Sequence, residues 1–164
     1  MVSVSQATER VEVRPAPQNQ GAPFPVESVL LYGSETWTID NALCKRLDGC
    51  YTRMLRMDMN ISWKQKLTNK QLYRTLPPVS TKVACRRMKL AGHCIRHPEE
   101  IASQLVLWQP TVGQRSVGRQ PVSFIDILLS DANIDNIEEL RTAMLDRDGW
   151  RKRAEHLRVE ARPK

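Results

Sequence analysis

The sequence predicts a mainly α protein, a small helical bundle with one or two short strands and a disordered N-terminal leader. Apolar residues recur at spacings of three and four in segments 43–57 and 84–95, which is the period of an amphipathic helix. Residues that cap helices precede several of the apolar segments. We expect a leader at 1–27, a basic helical segment at 28–100 and a C-terminal helical extension with a fraying tail at 101–164.

The first 27 residues contain four Pro with Gln, Asn and Gly between them. This composition buries too little apolar surface to offset the entropy of ordering, so it predicts disorder. The apolar run 28–32 follows and stops at Gly33, which is typical of a short strand. A second short apolar run, 105–108, is the other candidate strand.

A long helix is predicted from Asp40 onward, over about 17 residues. Its apolar positions step by four, three, four and three residues, which places them along one stripe with basic residues on the outer side. The residues of this stripe are Leu43, Leu47, Cys50, Met54 and Met57.

Capping patterns predict the remaining helices. Thr68 and Gln71 have the spacing of a capping box, and Ser80 is a candidate cap for a second long helix that Pro98 ends. The predicted apolar seam of this second long helix contains Ala84, Met88, Ala91 and Ile95. Further along, the two cap pairs are Ser123 with Asp126 and Asp135 with Glu138, and Gly149 should interrupt the last segment.

Positive charge is concentrated in the centre of the chain. The whole chain has a formal net charge of +7, and residues 44–97 contain six Lys and seven Arg against Asp48 and Asp58. A basic block of this kind is typical of a surface that contacts nucleic-acid phosphates. A solvated helix face is the alternative interpretation of this block.

The loop GQRSVGRQP at 113–121 is similar in composition to a minor-groove hook, which inserts an Arg into the minor groove of DNA. A flexible surface loop is the alternative interpretation.

The stretch CRRMKLAGHCIRHP, residues 85–98, raises the question of a zinc site. Its spacing, Cys-x8-His-Cys-x2-His, matches none of the usual zinc-finger patterns. His93 and His97, four residues apart, are weak metal candidates, but Cys85 would lie roughly 12 Å back along the helix axis. We therefore expect no metal, and we expect the cysteines to be small buried thiols.

Other function classes find little support in the sequence. No phosphate-binding loop, nucleophile elbow or paired aspartates are present, so we expect no catalytic residues and no cofactor. No secretory signal or apolar run long enough to cross a membrane occurs, which predicts an intracellular protein without choosing between nucleus and cytoplasm.

Six segments of the chain resemble one protein family. They are LLYGSETWTI (30–39), KRLDGCYTRMLRM (45–57), ISWKQKLTNKQLY (61–73), RRMKLAGHCIRHP (86–98), LVLWQP (105–110) and AMLDRDGWRKR (143–153). Together, over about 28–153, they resemble the C-terminal thumb and post-thumb region of non-LTR, LINE-type retrotransposon endonuclease–reverse transcriptases. The resemblance implies a helical thumb-like segment that helps to hold template RNA and primer DNA.

The resemblance also implies which residues contact nucleic acid. In the family, the endonuclease and the catalytic palm would precede Leu30, so no catalytic residue carries over. The auxiliary residues that carry over are Arg53, Arg56, Arg86, Arg87, His93 and Arg96. The implied function is a truncated, non-catalytic retrotransposon remnant that binds the RNA or DNA backbone. The alternatives are a protein-interaction or structural helical module, or an open reading frame without selected function.

A thumb without its palm would leave apolar surface uncovered. We therefore expect partial exposure of Leu30, Leu31, Trp37 and Trp63, and self-association through that surface.

Overall fold

The computed structural model describes residues 25–73, 76–108 and 123–160, and it confirms the mainly α fold class. Within these ranges the regular structure is helical, with short 3₁₀ turns at Ser34–Thr36 and Trp63–Gln65 and no strand. The helices are α1 Pro25–Leu30, α2 Asn41–Asp58, α3 Asn69–Tyr73, α4 Val79–Arg96, α5 Ile101–Val106, α6 Phe124–Ala132, α7 Ile137–Leu145 and α8 Arg147–Glu160.

Both predicted strands are wrong. The run 28–32 lies in α1 and the turn after it, and the run 105–108 begins inside α5. Periodicity cannot separate helix from strand in such short apolar runs, and tertiary contacts decide between them. In the first run Leu31 is completely buried, whereas Val29 and Tyr32 are exposed.

The predicted leader is too long at its C-terminal end. Residues 1–24 lie outside the described residues, but α1 starts at Pro25 and Glu27 is buried. The Glu27 Oε2 atom accepts a hydrogen bond from the Tyr51 hydroxyl at 2.7 Å and pairs with Lys82 Nζ at 2.6 Å. Burial and the neighbouring carboxylate raise the pKa of Tyr51, so this phenol remains a donor. One acidic residue thus joins α1 to both α2 and α4.

The inner face of α2 differs from the predicted stripe. Tyr51 and Leu55 are the buried residues of the helix, while Met57 and Leu43 are exposed. The inner face also carries polar residues that find partners across the bundle. Asp48 accepts hydrogen bonds from both the backbone N–H and the hydroxyl of Ser80. An apolar pattern cannot identify a face that is partly polar.

Two of the capping predictions are confirmed in full. Thr68 and Gln71 bond each other's backbone N–H groups, and Ser123 and Asp126 form a capping box at the start of α6. Ser80, by contrast, lies inside α4.

The predicted cap of α7 and the predicted interruption of α8 are both wrong. Asn136, one residue after Asp135, caps α7. The helix α8 runs through Gly149, because Asp146 Oδ1 accepts from the N–H groups of Asp148 and Gly149. Gly149 therefore lies in the first turn and does not interrupt the helix.

The helix α4 belongs to two hydrophobic clusters. Its N-terminal half contributes Val79 and Val83 to a cluster with Leu31, Tyr51 and Leu55. Its C-terminal half, including most of the predicted seam, packs against α6, α7 and α8. The buried residues of this second cluster are Met88, Ala91, Ile95, Leu128, Ala132, Ile134, Leu140, Met144, Trp150 and Ala154. The domain boundary near residue 100 stays a prediction.

None of the helices described above combines the length and the apolar character that crossing a membrane would need.

Candidate nucleic-acid interface

The helix α4 is the most basic helix of the bundle. It contains two Lys and three Arg and no acidic residue. The structure separates these cations into two that are neutralised and three that reach solvent. Lys82 is paired with Glu27 and Arg87 with Asp131. The cations of α4 without an acidic partner in the described chain are Arg86, Lys89 and Arg96.

Arg87 was predicted to contact nucleic acid, and its position contradicts that prediction. Only 3% of its side chain is exposed. Its Nε and Nη2 atoms lie 2.9 and 2.7 Å from Asp131 Oδ2, and its Nη1 atom donates to the Trp37 carbonyl at 2.7 Å. Burial raises the pKa of Asp131, and the Arg87 guanidinium acts against that shift. The guanidinium is therefore a core group without access to a phosphate.

Arg86, Lys89, His93 and Arg96 lie along one side of α4, and we call them the α4 basic stripe. Their spacings of three, four and three residues place them on neighbouring turns over about 15 Å. Arg86 Nη1 donates to the Leu31 carbonyl at 2.7 Å, and Arg96 Nη1 donates to the Met144 carbonyl at 2.7 Å. Lys89 and His93 are exposed. The stripe thus combines two anchored guanidiniums with two exposed cationic or titratable groups.

The stretch 85–98 brings its two histidines together but not its cysteines. The rings of His93 and His97 have centroids 4.4 Å apart, and His97 Nδ1 lies 3.3 Å from Glu99 Oε1. Cys85 is buried, and its Sγ donates to the Ala154 carbonyl at 3.0 Å. Burial raises the pKa of Cys94, which disfavours the thiolate that zinc requires. In the described ranges, no group of three or more His, Cys, Asp or Glu residues has the geometry of a metal site.

All four cysteines lie in the described residues, and none forms a disulfide. Cys85 and Cys94 are buried, as predicted, whereas Cys50 is exposed and Cys44 is half-buried. The prediction of buried thiols therefore fails at Cys50.

Arg53 and Arg56 line an open groove of about 540 Å³ at the C-terminal end of α2. The remaining lining residues are Met57, Asn60, Ile61 and Ser62. Arg53 is exposed, and no hydrogen bond to another described residue holds it. Arg56 is partly buried, and its Nη2 donates to the Leu67 carbonyl at 2.7 Å and to Asn69 Oδ1 at 3.0 Å. Arg56 therefore fixes one wall of the groove, while Arg53 is available to a ligand.

The end of α2 shapes this groove. Asn60 adopts the left-handed conformation with φ of 51°, which Asn tolerates better than most residues. The Ile61 N–H then bonds the Arg56 carbonyl, and the Asn60 N–H bonds the Met57 carbonyl. This pattern is a Schellman motif, which turns the chain back across the end of the helix.

The Gly92–His93 pair has two separate roles. A Cβ atom on Gly92 would lie 2.5 Å from Trp150 Cδ1 and 2.6 Å from Trp150 Nε1. The Trp150 indole donates from Nε1 to the Met88 carbonyl at 2.7 Å. Because Gly92 has no side chain, the Trp150 indole of α8 can pack directly against α4 at this position. The adjacent His93 faces solvent.

Sequence reasoning missed Lys89, Asp131 and Trp150. The position of Lys89 on the outer side of α4 was a signal that could have placed it in the stripe. Nothing local marks Asp131 as the partner of Arg87, because the two residues are 44 positions apart. The predicted loop at 113–121 lies outside the described residues.

Comparison with known proteins gives one informative match. No protein-family model matches the chain, and no solved structure does. The chain is similar to a Caenorhabditis elegans protein described as uncharacterised and transposon-derived, with 29% identity over 134 residues. This similarity indicates a transposon-related origin. The alignment covers 74% of this chain and 48% of the relative, so the chain spans about half the length of the curated relative that it matches.

Proposed function

We propose that the chain derives from the thumb and post-thumb region of a non-LTR retrotransposon reverse transcriptase and binds the RNA or DNA backbone without catalysing a reaction. The observation that carries this proposal is the α4 basic stripe. It presents cationic groups along one side of a helix that contains no acidic residue. Cations in such an arrangement release counterions from phosphates, which gives binding that is largely independent of sequence and sensitive to salt.

The proposed contact residues differ at two positions from those that the resemblance implied. Arg87 is withdrawn from the set because it is buried against Asp131. Lys89 joins the set because it is exposed between Arg86 and His93. The transposon-derived relative supports the origin of the chain, and the exposed cations support the mode of binding.

Replacing Lys89 by Glu should weaken nucleic-acid binding about tenfold at low salt and reduce the salt slope by about 1. The substitution reverses the charge at the centre of the stripe and disturbs no hydrogen bond among the described residues. Fluorescence anisotropy with a labelled oligonucleotide at several salt concentrations measures both quantities. Arg141→Glu is the matched control, because Arg141 is an exposed cation on α7. Equal effects of the two substitutions would contradict the assignment of the stripe.

Self-association is the second candidate function, and exposed apolar side chains favour it. Val29 in α1 and Tyr32 in the turn that follows it are 79% and 87% exposed, and they are three residues apart. The expected apolar surface is only partly confirmed. Trp63 is exposed and Leu30 and Trp37 are half-buried, whereas Leu31 is completely buried in the core.

Sedimentation of the chain without nucleic acid should show an average mass that rises with protein concentration. The Val29→Glu, Tyr32→Glu double variant should sediment as a monomer, because it places charge at both of these exposed apolar positions. A wild-type chain that remains monomeric at all concentrations would contradict self-association.

A further inference from the structure

An exposed tryptophan lies next to the groove at the end of α2. Trp63 follows directly after Ser62, the last residue that lines the groove. It begins a 3₁₀ turn, and 84% of it is exposed. The Lys64 amino group lies 6.0 Å from the centroid of the Trp63 ring. A large flat aromatic ring therefore stands in solvent beside a groove that contains two arginines.

The charges around the groove select the class of ligand. The lining residues identified above include Arg53 and Arg56 and no acidic residue. Lys64 and Lys66 follow on the adjoining turn, and Asp58 is the acidic residue in the stretch 53–66. This balance favours a polyanion. A polyanion alone gives no reason for an exposed indole, but one that carries aromatic bases uses both features.

Single-stranded nucleic acid has this combination of groups. Its phosphates pair with cations, and its unpaired bases expose flat faces that stack on aromatic side chains. A duplex keeps its base faces stacked inside, so it can use only the cations. An acidic peptide likewise has no base face to offer the ring.

We infer that Trp63 stacks on an unpaired base of single-stranded RNA or DNA while Arg53 contacts the adjacent phosphate. This inference rests on the proposed function and adds a preference for single strands. Arg56 acts as a positioning residue, since its hydrogen bonds to Leu67 and Asn69 hold the wall of the groove. The left-handed Asn60 directs the chain from α2 into the turn that carries Trp63.

Replacing Trp63 by Leu tests the stacking directly. The probes are a fluorescein-labelled 12-nucleotide oligouridine and a labelled 12-base-pair DNA duplex. The variant should bind the single strand about 5- to 150-fold more weakly, which corresponds to the loss of one stacked base. Its affinity for the duplex should remain within about twofold of wild type. Trp63→Phe should restore most of the single-strand affinity, because phenylalanine keeps an aromatic face.

Trp108→Leu provides the matched control. Trp108 is 63% exposed, and it does not line the groove. Its replacement should leave the affinity for both probes unchanged. Circular dichroism should show equal helix content in all variants, because both tryptophans extend into solvent.

The possible outcomes distinguish the inference from the proposed function. Equal loss of affinity for both probes in Trp63→Leu, or no loss for either, would overturn the stacking inference while backbone binding stands. Failure of the wild-type chain to bind either probe would overturn both. If polyglutamate displaces the single strand as effectively as unlabelled oligouridine at equal charge, the groove is an acidic-peptide site and the inference is wrong.

Discussion

Replacing Arg87 by Met should lower the free energy of unfolding by about 3–5 kcal/mol, since it leaves the partly buried Asp131 carboxylate without its cationic partner. The Trp37 carbonyl would lose its donor as well. Denaturation in urea, followed by circular dichroism, measures the loss. Lys89→Met is the matched control on the same helix, because Lys89 is exposed. A similar small effect of the two substitutions would contradict the role of Arg87 as a core group.

A double variant tests whether the cost comes from the unpaired carboxylate. Asp131→Leu combined with Arg87→Met removes both charges, and apolar pairs often replace buried ion pairs at little cost. The double variant should therefore recover much of the stability that Arg87→Met loses. If the losses of stability from Arg87→Met alone and Asp131→Leu alone simply added in the double variant, the coupling between Arg87 and Asp131 would be absent.

Replacing Gly92 by Ala should lower the free energy of unfolding by about 2–4 kcal/mol. The new methyl group would overlap the Trp150 ring, whose Cδ1 lies 2.5 Å from the ideal Cβ position. Trp150 is 2% exposed, so the ring is enclosed by neighbouring side chains and cannot swing into solvent without opening the core. Its displacement would also break the hydrogen bond to the Met88 carbonyl. Thermal unfolding, read together with Trp fluorescence, reports both effects.

Gly49→Ala is the matched control for Gly92→Ala. Gly49 is also inside a long helix, and nothing lies within 4 Å of the position that its Cβ would occupy. This substitution should stabilise the chain by about 0.5–1 kcal/mol, because Ala favours the helical conformation. The two variants should therefore shift stability in opposite directions. A stabilising effect at both glycines would show that Trp150 does not fill the space above Gly92.

The sequence was most informative where local chemistry decides the structure. Thr68 with Gln71 and Ser123 with Asp126 mark helix starts, because each pair satisfies backbone N–H groups within four residues. Predictions from the sequence were wrong where contacts between residues far apart in the chain decide the structure. The run 28–32 looks like a strand, yet Glu27 and Leu31 attach it to α2 and α4 as a helix and the turn that follows it.

The candidate site shows the same division. Arg86 and Arg87 are adjacent, and the predicted seam of α4 places Arg86 opposite the apolar side and Arg87 beside it. Their side chains point about 100° apart around the helix, and Asp131 draws Arg87 inward. The groove at Arg53 depends on the left-handed Asn60, for which the residue type is a weak signal. The residue types predict that the surface is positively charged. Which residues belong to that surface is decided by the contacts in the folded structure.

The shared position of α4 limits how this chain can tolerate deletions. Its two ends belong to different hydrophobic clusters, so the helix needs covering elements both before and after it in the sequence. A frameshift after Pro98 would remove the helices that pack against Met88, Ala91 and Ile95. A deletion of α1 and α2 would likewise expose Val79 and Val83. Loss of either flank would expose the apolar side of this basic helix and make the chain prone to aggregation.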